Sequence, residues 1–453
     1  MNLTNLKIFQ NESIKNALQK IDINTLGIVF AVNKSNKVIG SVTDGDIRYK
    51  LLEGLTLNDK IGLCVNRKFV YCTESSPREE IIKQFDNNIK VIPLLNSNKE
   101  LIGINTKDNF PLTKEKKIIA RSKSPVRISF GGGGSDLTHY FKNSSGAVIN
   151  TTISLYTHCT LIKKNNKKIL ISSEDLNLTL KANDLKSAIN QNSEFGLILS
   201  TIKLINPLFG FELHIRSDFP MSSGLGGSAV VVSSIIGCFN EFRIDKWNKY
   251  EIAEMAYQSE RLYFKISGGW QDQYATVFGG FNFMEFKLKQ NIVHPLRLEH
   301  QTELELKENL VLCDTCLNHF SSDIHDNQKK QFLNKDELKK LVALNVELTL
   351  EIRDNLLKGK LSEIGHLLDK AWSFKKQFSG KISNERLDNI YNTAVNNGAK
   401  GGKLLGAGGG GFFIFYCPPQ NRITLVKKLK SLGTKIVNFD FELKGLVSWK
   451  VRV

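Results

Sequence analysis

Apolar and polar residues alternate along the first 110 positions in a pattern that occurs twice. Val29-Phe-Ala-Val-Asn-Lys-Ser-Asn-Lys-Val-Ile-Gly40 and Ile92-Pro-Leu-Leu-Asn-Ser-Asn-Lys-Glu-Leu-Ile-Gly103 align at an offset of 63 residues. Each predicts a strand, a polar turn and a second strand. A helix-like stretch precedes each copy, opened by Ser13 before Ala17 and Leu18, and by Ser76 before Ile81 and Ile82. Two copies of a unit too small to fold alone predict a paired module over residues 1–110. Residues 111–120 form a charged linker.

Beyond the linker the pattern changes. Residues 121–130 alternate like a strand and run into glycine, 146–162 are extended and β-branched, and 211–215 alternate before Pro220. Residues 228–242 and 249–264 have helical spacing, and 335–397 read as several amphipathic helices. Strands return at 412–416, 436–441 and 448–453. Strands and helices mix without strict βαβ alternation, which predicts the α+β class.

A chain of 453 residues has two or three domains by its length. Its 41% hydrophobic and 24% charged residues are ordinary for a globular protein. No run approaches the apolar length of a membrane span, and the first residues lack a signal-peptide pattern. The expectation is a cytoplasmic protein without a membrane partner. The net charge of +17 comes from lysines scattered over the whole chain. Nucleic-acid binding needs clustered basic residues, so the expectation is no nucleic acid and a surface that steers small anions. Seven cysteines at irregular spacing argue against a disulfide framework. Cys313 and Cys316 form a lone CxxC, with His319 and His325 nearby. Two readings stand for it: buried free thiols, or a metal or redox role.

Three glycine-rich segments carry the candidate chemistry. They are Ser-Pro-Val-Arg-Ile-Ser-Phe-Gly-Gly-Gly-Gly-Ser-Asp at 124–136, Pro-Met-Ser-Ser-Gly-Leu-Gly-Gly-Ser-Ala at 220–229, and Lys-Leu-Leu-Gly-Ala-Gly-Gly-Gly-Gly-Phe at 403–412. In the second, Gly224, Gly226 and Gly227 let backbone approach a ligand, and a helix from Ser228 follows at once. A loop feeding a helix N-terminus binds phosphate; the plainer reading is a flexible turn. The third segment fits GxGxxG, but a strand-like Phe-Phe-Ile-Phe follows where a dinucleotide site needs a helix. There is no P-loop motif. Phosphoryl transfer needs a phosphate cradle, a metal ion, a group orienting the acceptor hydroxyl, and positive charge on the moving phosphoryl. Glu260, late in a helix, and Asp272, in a glycine-led turn, are carboxylates near the second loop in sequence.

Together the three segments resemble the GHMP kinases over residues 121–453, and within them the kinases of D-glycero-D-manno-heptose 7-phosphate; fucose kinases share part of the pattern. The resemblance implies a two-lobed fold: a ribosomal-S5-like N-terminal lobe at 121–320 and an α/β C-terminal lobe at 321–453. It implies ATP on residues Ser222, Ser223, Gly224, Leu225, Gly226, Gly227, Ser228 and Ala229, with Mg²⁺ on Ser228 and Glu260. Asp272 would take or orient the acceptor proton, and Arg127 would stabilise phosphoryl charge. Gly133, Gly134, Asp136, Gly408 and Gly409 would bind the acceptor sugar. The product would be a heptose 1,7-bisphosphate for nucleotide-heptose and surface-polysaccharide synthesis. The alternatives are a fucose kinase and a catalytically inactive sensor. Galactokinases carry Gly-Glu-His where this chain has Gly132, Gly133 and Gly134. The change leaves room, and amides, for an anionic substituent such as a C7 phosphate. Candidate cations for that phosphate are His139, Lys142 and Lys403.

The N-terminal repeat resembles a CBS-domain pair of α/β units, most clearly at Ile39-Gly-Ser-Val-Thr-Asp-Gly-Asp-Ile47. That resemblance implies an adenine nucleotide on Thr43 and Asp46, with Asn109 breaking the match in the second copy. The open alternative is a structural module that forms a homodimer.

Overall fold

The computed structural model describes residues 3–86, 89–108, 118–191, 194–220, 223–317 and 336–452. The chain divides into two compact units, Met1–Lys116 and Lys117–Val453.

In the first unit the order is β1 (Lys7–Phe9), α1 (Ile14–Asn24), β2 (Ile28–Val32), β3 (Val38–Thr43), α2 (Asp44–Leu52), β4 (Cys72–Thr73), α3 (Arg78–Asp86), β5 (Val91–Leu95) and β6 (Leu101–Thr106). The repeat is physical. Each copy has a short strand parallel to the first arm of an antiparallel hairpin. Register shifts fall at Ala31/Val32 and at Leu94/Leu95, 63 residues apart. Asn36 and Lys99 both turn through left-handed φ, 58° and 62°. The Asn33 side-chain oxygen accepts the amides of Ser35 and Lys37, and Asn96 accepts those of Asn98 and Glu100. Phe30, Val32 and Val38 pack on Val91, Leu95 and Leu101, so the copies share a core. Ser13 caps α1 through the Asn16 amide; Ser76 instead accepts the Thr73 amide, and α3 starts after it.

The second unit runs β7 (Ile118–Gly131), α4 (Thr138–Phe141), β8 (Gly146–Lys164), β9 (Ile169–Ser173), β10 (Leu178–Ala182), α5 (Leu185–Ile189), α6 (Gly196–Ile205), β11 (Gly210–Ser217), α7 (Gly227–Asn240), α8 (Lys249–Tyr257), α9 (Gln271–Phe278), β12 (Phe281–Lys287), β13 (Gln290–Pro295), α10 (His300–Asn309) and β14 (Leu310–Asp314). It continues with α11 (Asp336–Leu357), α12 (Ile364–Gln377), α13 (Glu385–Asn396), β15 (Gly401–Leu404), β16 (Phe412–Tyr416), α14 (Pro419–Ser431), β17 (Lys435–Val437) and β18 (Val447–Arg452).

β8 is the spine of an eight-stranded sheet. β7 pairs along one of its edges; β12 and β11 share the other, β12 against 146–151 and β11 against 157–164. β18 pairs antiparallel with the start of β7. A second sheet has the order β15-β16-β14-β17. Two strands depart from a division at residue 320. β14 precedes it yet lies within the second sheet, and β18 returns from the chain's end to the first. Residues 438–446 are not strand, so the strand expected over 436–441 is confined to β17 and a single bridge from Phe441 to Ile153.

Both sheets close on one core. Ile128, Phe130 and Ile149 of β7 and β8 pack with Leu348 and Ile352 of α11, Leu368 of α12, and Leu312 and Ile414 of the second sheet. The sheet carrying the first glycine segment is thereby fixed against the helices facing the site. Among the described residues no helix is long and apolar enough to cross a membrane.

Candidate active site

The second glycine loop builds one wall. α7 begins at Gly227, capped by Gly226 at φ 82°, a conformation that disfavours any side chain. The amides of its first turn have no intrahelical acceptor and lie at the positive end of a fourteen-residue helix. The glycines are needed for contact as well as for φ. A Cβ on Gly406 of the third segment would sit 2.6 Å from the Gly224 Cα, and one on Gly411 would sit 2.4 Å from the Ser223 carbonyl oxygen. The third segment therefore underpins the second, backbone against backbone. Leu225 and Ala229 are buried in the core, and Ser222 lies outside the described residues.

Asp272 meets this loop from α9. The glycine turn ends at Trp270, and Asp272 takes the second position of the helix. It is thus a first-turn helical residue, not a turn residue as the sequence suggested. A Cβ on Gly226 would lie 3.3 Å from its carboxylate. Arg127 reaches across from β7: Nε and Nη2 donate to Asp272 Oδ1 at 2.8 and 2.7 Å, and Nη1 donates to the Gly224 carbonyl at 2.8 Å. One buried guanidinium thus fixes the carboxylate and the loop to each other.

Glu260 comes from a local irregularity. The helix expected over 249–264 widens into a π turn at Gln258–Tyr263, and Ser259 and Glu260 are buried there. Such widened turns recur at functional sites. The wholly buried Glu260 carboxylate accepts from Ser228 Oγ on one oxygen and from Gln273 Nε2 on the other. Among the described residues its nearest cation is Arg261 Nη1, at 4.0 Å.

Asp136 accepts the amides of Gly134 and Gln271, both at 3.1 Å. Burial, and then repulsion from Asp272, push its carboxyl above the usual range. A Cβ on Gly269 would lie 1.8 Å from Asp136 Oδ2, so only glycine fits beside it.

Arg127, Asp136, Gly224, Gly226, Gly227, Ser228 and Asp272 line one cavity of about 340 Å³ with Gly133, Gly134, Ser223, Asn345, Lys375, Phe378, Lys403 and residues 404–407, while Glu260 is buried behind Ser228 and is not on the lining. Gly408 and Gly409 are not on that lining. A Cβ at 408 would meet Ile382 at 2.9 Å, and the Gly409 amide already donates to the Ile382 carbonyl. Of the third segment it is Leu404–Ala407 that line the cavity, not the expected Gly408 and Gly409. His139 and Lys142 are likewise off the lining, whereas Lys403 is on it. Asn345, Lys375 and Phe378 were missed, because an Asn, a Lys or a Phe in an amphipathic helix carries no local mark of function. Lys375 donates to the carbonyls of Leu404 and Gly406 at 2.8 and 2.5 Å, and burial holds it well below the usual lysine range, with Lys403 and Arg127 adding repulsion.

Outside this cavity, Thr43 and Asp46 are together but engaged with each other. Thr43 caps α2 through the Asp46 amide, and Asp46 Oδ2 accepts the Thr43 amide and hydroxyl at 2.8 and 2.7 Å. Asn109 lies outside the described residues. Cys313 is a buried free thiol and Cys316 an exposed one; His319 and His325 lie outside the described residues.

The GHMP kinases N terminal domain matches residues 193–280, the GHMP kinases C terminal model matches 352–435, and the CBS domain matches 61–106. The D-glycero-alpha-D-manno-heptose 7-phosphate kinase of Campylobacter jejuni is 36% identical over 338 residues, covering 73% of this chain and 99% of its own. The bifunctional fucokinase/GDP-fucose pyrophosphorylase of Arabidopsis thaliana is 25% identical, and the match spans 31% of that protein. A solved D-glycero-D-manno-heptose 1-phosphate kinase from Bacteroides thetaiotaomicron superimposes with a TM-score of 0.61 at 29% identity, over 74% of this chain and all of that one.

Proposed function

This chain belongs to the GHMP kinases and is a sugar kinase, and from that premise we propose that it transfers the γ-phosphoryl group of ATP to the anomeric hydroxyl of D-glycero-D-manno-heptose 7-phosphate. The observation that carries the reading is the joint placement of Arg127, Asp272, Gly226 and Asp136 around one cavity, on residues far apart in sequence.

The phosphates of ATP lie against the loop at 223–227 and the amides opening α7. Asp272 orients the acceptor hydroxyl or takes its proton, and Arg127 places positive charge at the reacting centre. Asp136 accepts from a sugar hydroxyl. Ser228, on the cavity lining, and Glu260, directly behind it, fit Mg²⁺: both offer oxygen ligands, among the described residues no cation lies closer than 4.0 Å to the carboxylate, and Mg²⁺ characteristically takes one or two protein ligands besides phosphate and water. When bound there the ion would neutralise phosphate charge. The product is a heptose 1,7-bisphosphate, consumed in nucleotide-heptose synthesis for surface polysaccharide.

A screen of ATP consumption with sugars and sugar phosphates tests the acceptor. Heptose 7-phosphate is expected to exceed fucose in kcat/KM by about 100-fold or more, since a site built for a charged group rejects its absence strongly. Faster turnover of fucose would replace the reading with a fucose kinase, and no turnover of any acceptor would favour a sensor. For the N-terminal unit the CBS match over 61–106 favours nucleotide binding in general, and the reading extends it to an adenine nucleotide at Thr43 and Asp46, outside that match, and to assembly as a homodimer. Titrating AMP into the full chain and measuring its mass in solution separate them; a monomer that ignores AMP excludes both.

A further inference from the structure

The cations of the cavity are unequally employed. Arg127 is committed to Asp272 and Gly224. Arg261 donates to the carbonyls of Ile266 and Gly269 at 3.2 and 3.3 Å. Lys375 is committed to Leu404 and Gly406. Lys403 is different. It leaves β15 opposite Ile414 of β16, is 4% exposed, and lines the cavity. Among the described residues its ammonium has no carboxylate partner and no hydrogen-bond acceptor. The charges around it are Arg127 on β7 and Lys375 on α12, both cationic; the carboxylates on the cavity wall are Asp136 and Asp272, and Asp272 is already paired.

A buried amine held beside two other cations is costly unless an anion joins it. The loop at 223–227 and the first turn of α7 face incoming phosphate from the other wall, so Lys403 adds a donor where the cavity otherwise offers spent ones. We propose that Lys403 receives a phosphate group brought into the cavity by a substrate. The inference rests on the sugar-kinase reading and extends it to a named residue. Two sources share the chemistry: the γ-phosphoryl of ATP, and the phosphate carried by the acceptor.

Burial, and then Arg127, pull the Lys403 amine down to about 7. At pH 8 it is therefore mostly neutral in the free protein. A phosphate dianion beside it favours the charged form, so binding at pH 8 takes up as much as about one proton. At pH 6 the amine is already charged, and uptake vanishes.

Calorimetry at pH 8, in buffers of different ionisation enthalpy, reads that proton. The ligands are ADP, the non-hydrolysable ATP analogue AMP-PNP, heptose 7-phosphate and heptose, each titrated into the wild type, Lys403→Met and Lys403→Gln. The expected result is uptake with a phosphate-bearing ligand that both variants abolish, with that ligand weakened by about 10–100-fold. Uptake with AMP-PNP but not ADP assigns the γ-phosphoryl; uptake with heptose 7-phosphate but not heptose assigns the acceptor's phosphate. If heptose 7-phosphate neither binds nor reacts while the AMP-PNP uptake still depends on Lys403, the heptose reading fails and this one stands. Equal proton uptake and equal affinities in all three proteins, for all four ligands, overturn it.

Discussion

Asp272→Asn lowers kcat by about a thousand-fold while leaving the KM for ATP within a few-fold. The substitution is chosen for what it keeps. The Asn amide oxygen still accepts from Arg127, so the guanidinium is not stranded and the contact with Gly226 is preserved. What it removes is the negative charge that takes or orients the acceptor proton. Single-turnover kinetics with a thermal-unfolding control make the distinction. A kcat near the wild-type value would refute the assignment of Asp272. A loss of ATP affinity equal to the loss of kcat would mean that Asp272 only braces the phosphate loop through Arg127 and Gly224.

Gly133→Glu raises the KM for heptose 7-phosphate by about 100-fold and leaves ATP nearly unaffected. The argument depends on which glycine of the cluster is changed. A Cβ on Gly132, at φ 83°, would lie 1.9 Å from the Ala147 carbonyl oxygen, and one on Gly134, at φ 95°, would press on Phe378 at 3.2 Å. Those two are required by the fold. Gly133 has nothing within 4 Å of a Cβ and lines the cavity, while its carbonyl is held by Asn345 Nδ2 at 3.0 Å. A glutamate is therefore accommodated, and its carboxylate meets a phosphorylated acceptor. Two like charges about 4 Å apart near a protein surface repel by roughly 4 kcal/mol, more than enough for the expected change. The unphosphorylated heptose should lose far less. An unaltered KM for heptose 7-phosphate would remove Gly133 from the acceptor site.

The parts of the site legible in the sequence are those where function forces a local rule to break. Runs of glycine before a helix and after a strand have few purposes; they marked the segments, and the resemblance of those segments to the GHMP kinases then pointed to Arg127, Ser228, Asp272 and Asp136. The 63-residue repeat was legible because its turn chemistry is written twice, in Asn33 and Asn96. The π turn under Glu260 was not: an extra residue in a helix leaves the apolar spacing nearly intact, and its cause is tertiary. Nor was the opposite wall. Lys375 and Lys376 are adjacent and identical in type, yet the first donates to the carbonyls of Leu404 and Gly406 while the second lies over the rings of Trp372 and Tyr391. Only the approach of the second sheet separates them. The sheet membership of β14 and β18 was hidden for the same reason, since a strand's pattern shows that it is half-buried and not which neighbour it will find.

The pairing of β18 with the first residues of β7 has a consequence for how the protein is made. Trp449 lies opposite Arg121, and among the described residues the other strand paired with 119–123 is β8. During synthesis the whole catalytic unit must be produced before this edge is covered, so its sheet closes last and over a long loop. Until then the start of β7, the strand that carries Arg127 further along, offers unpaired backbone to any passing chain. Covering of the active-site strand thus waits for β18, the last strand of this unit.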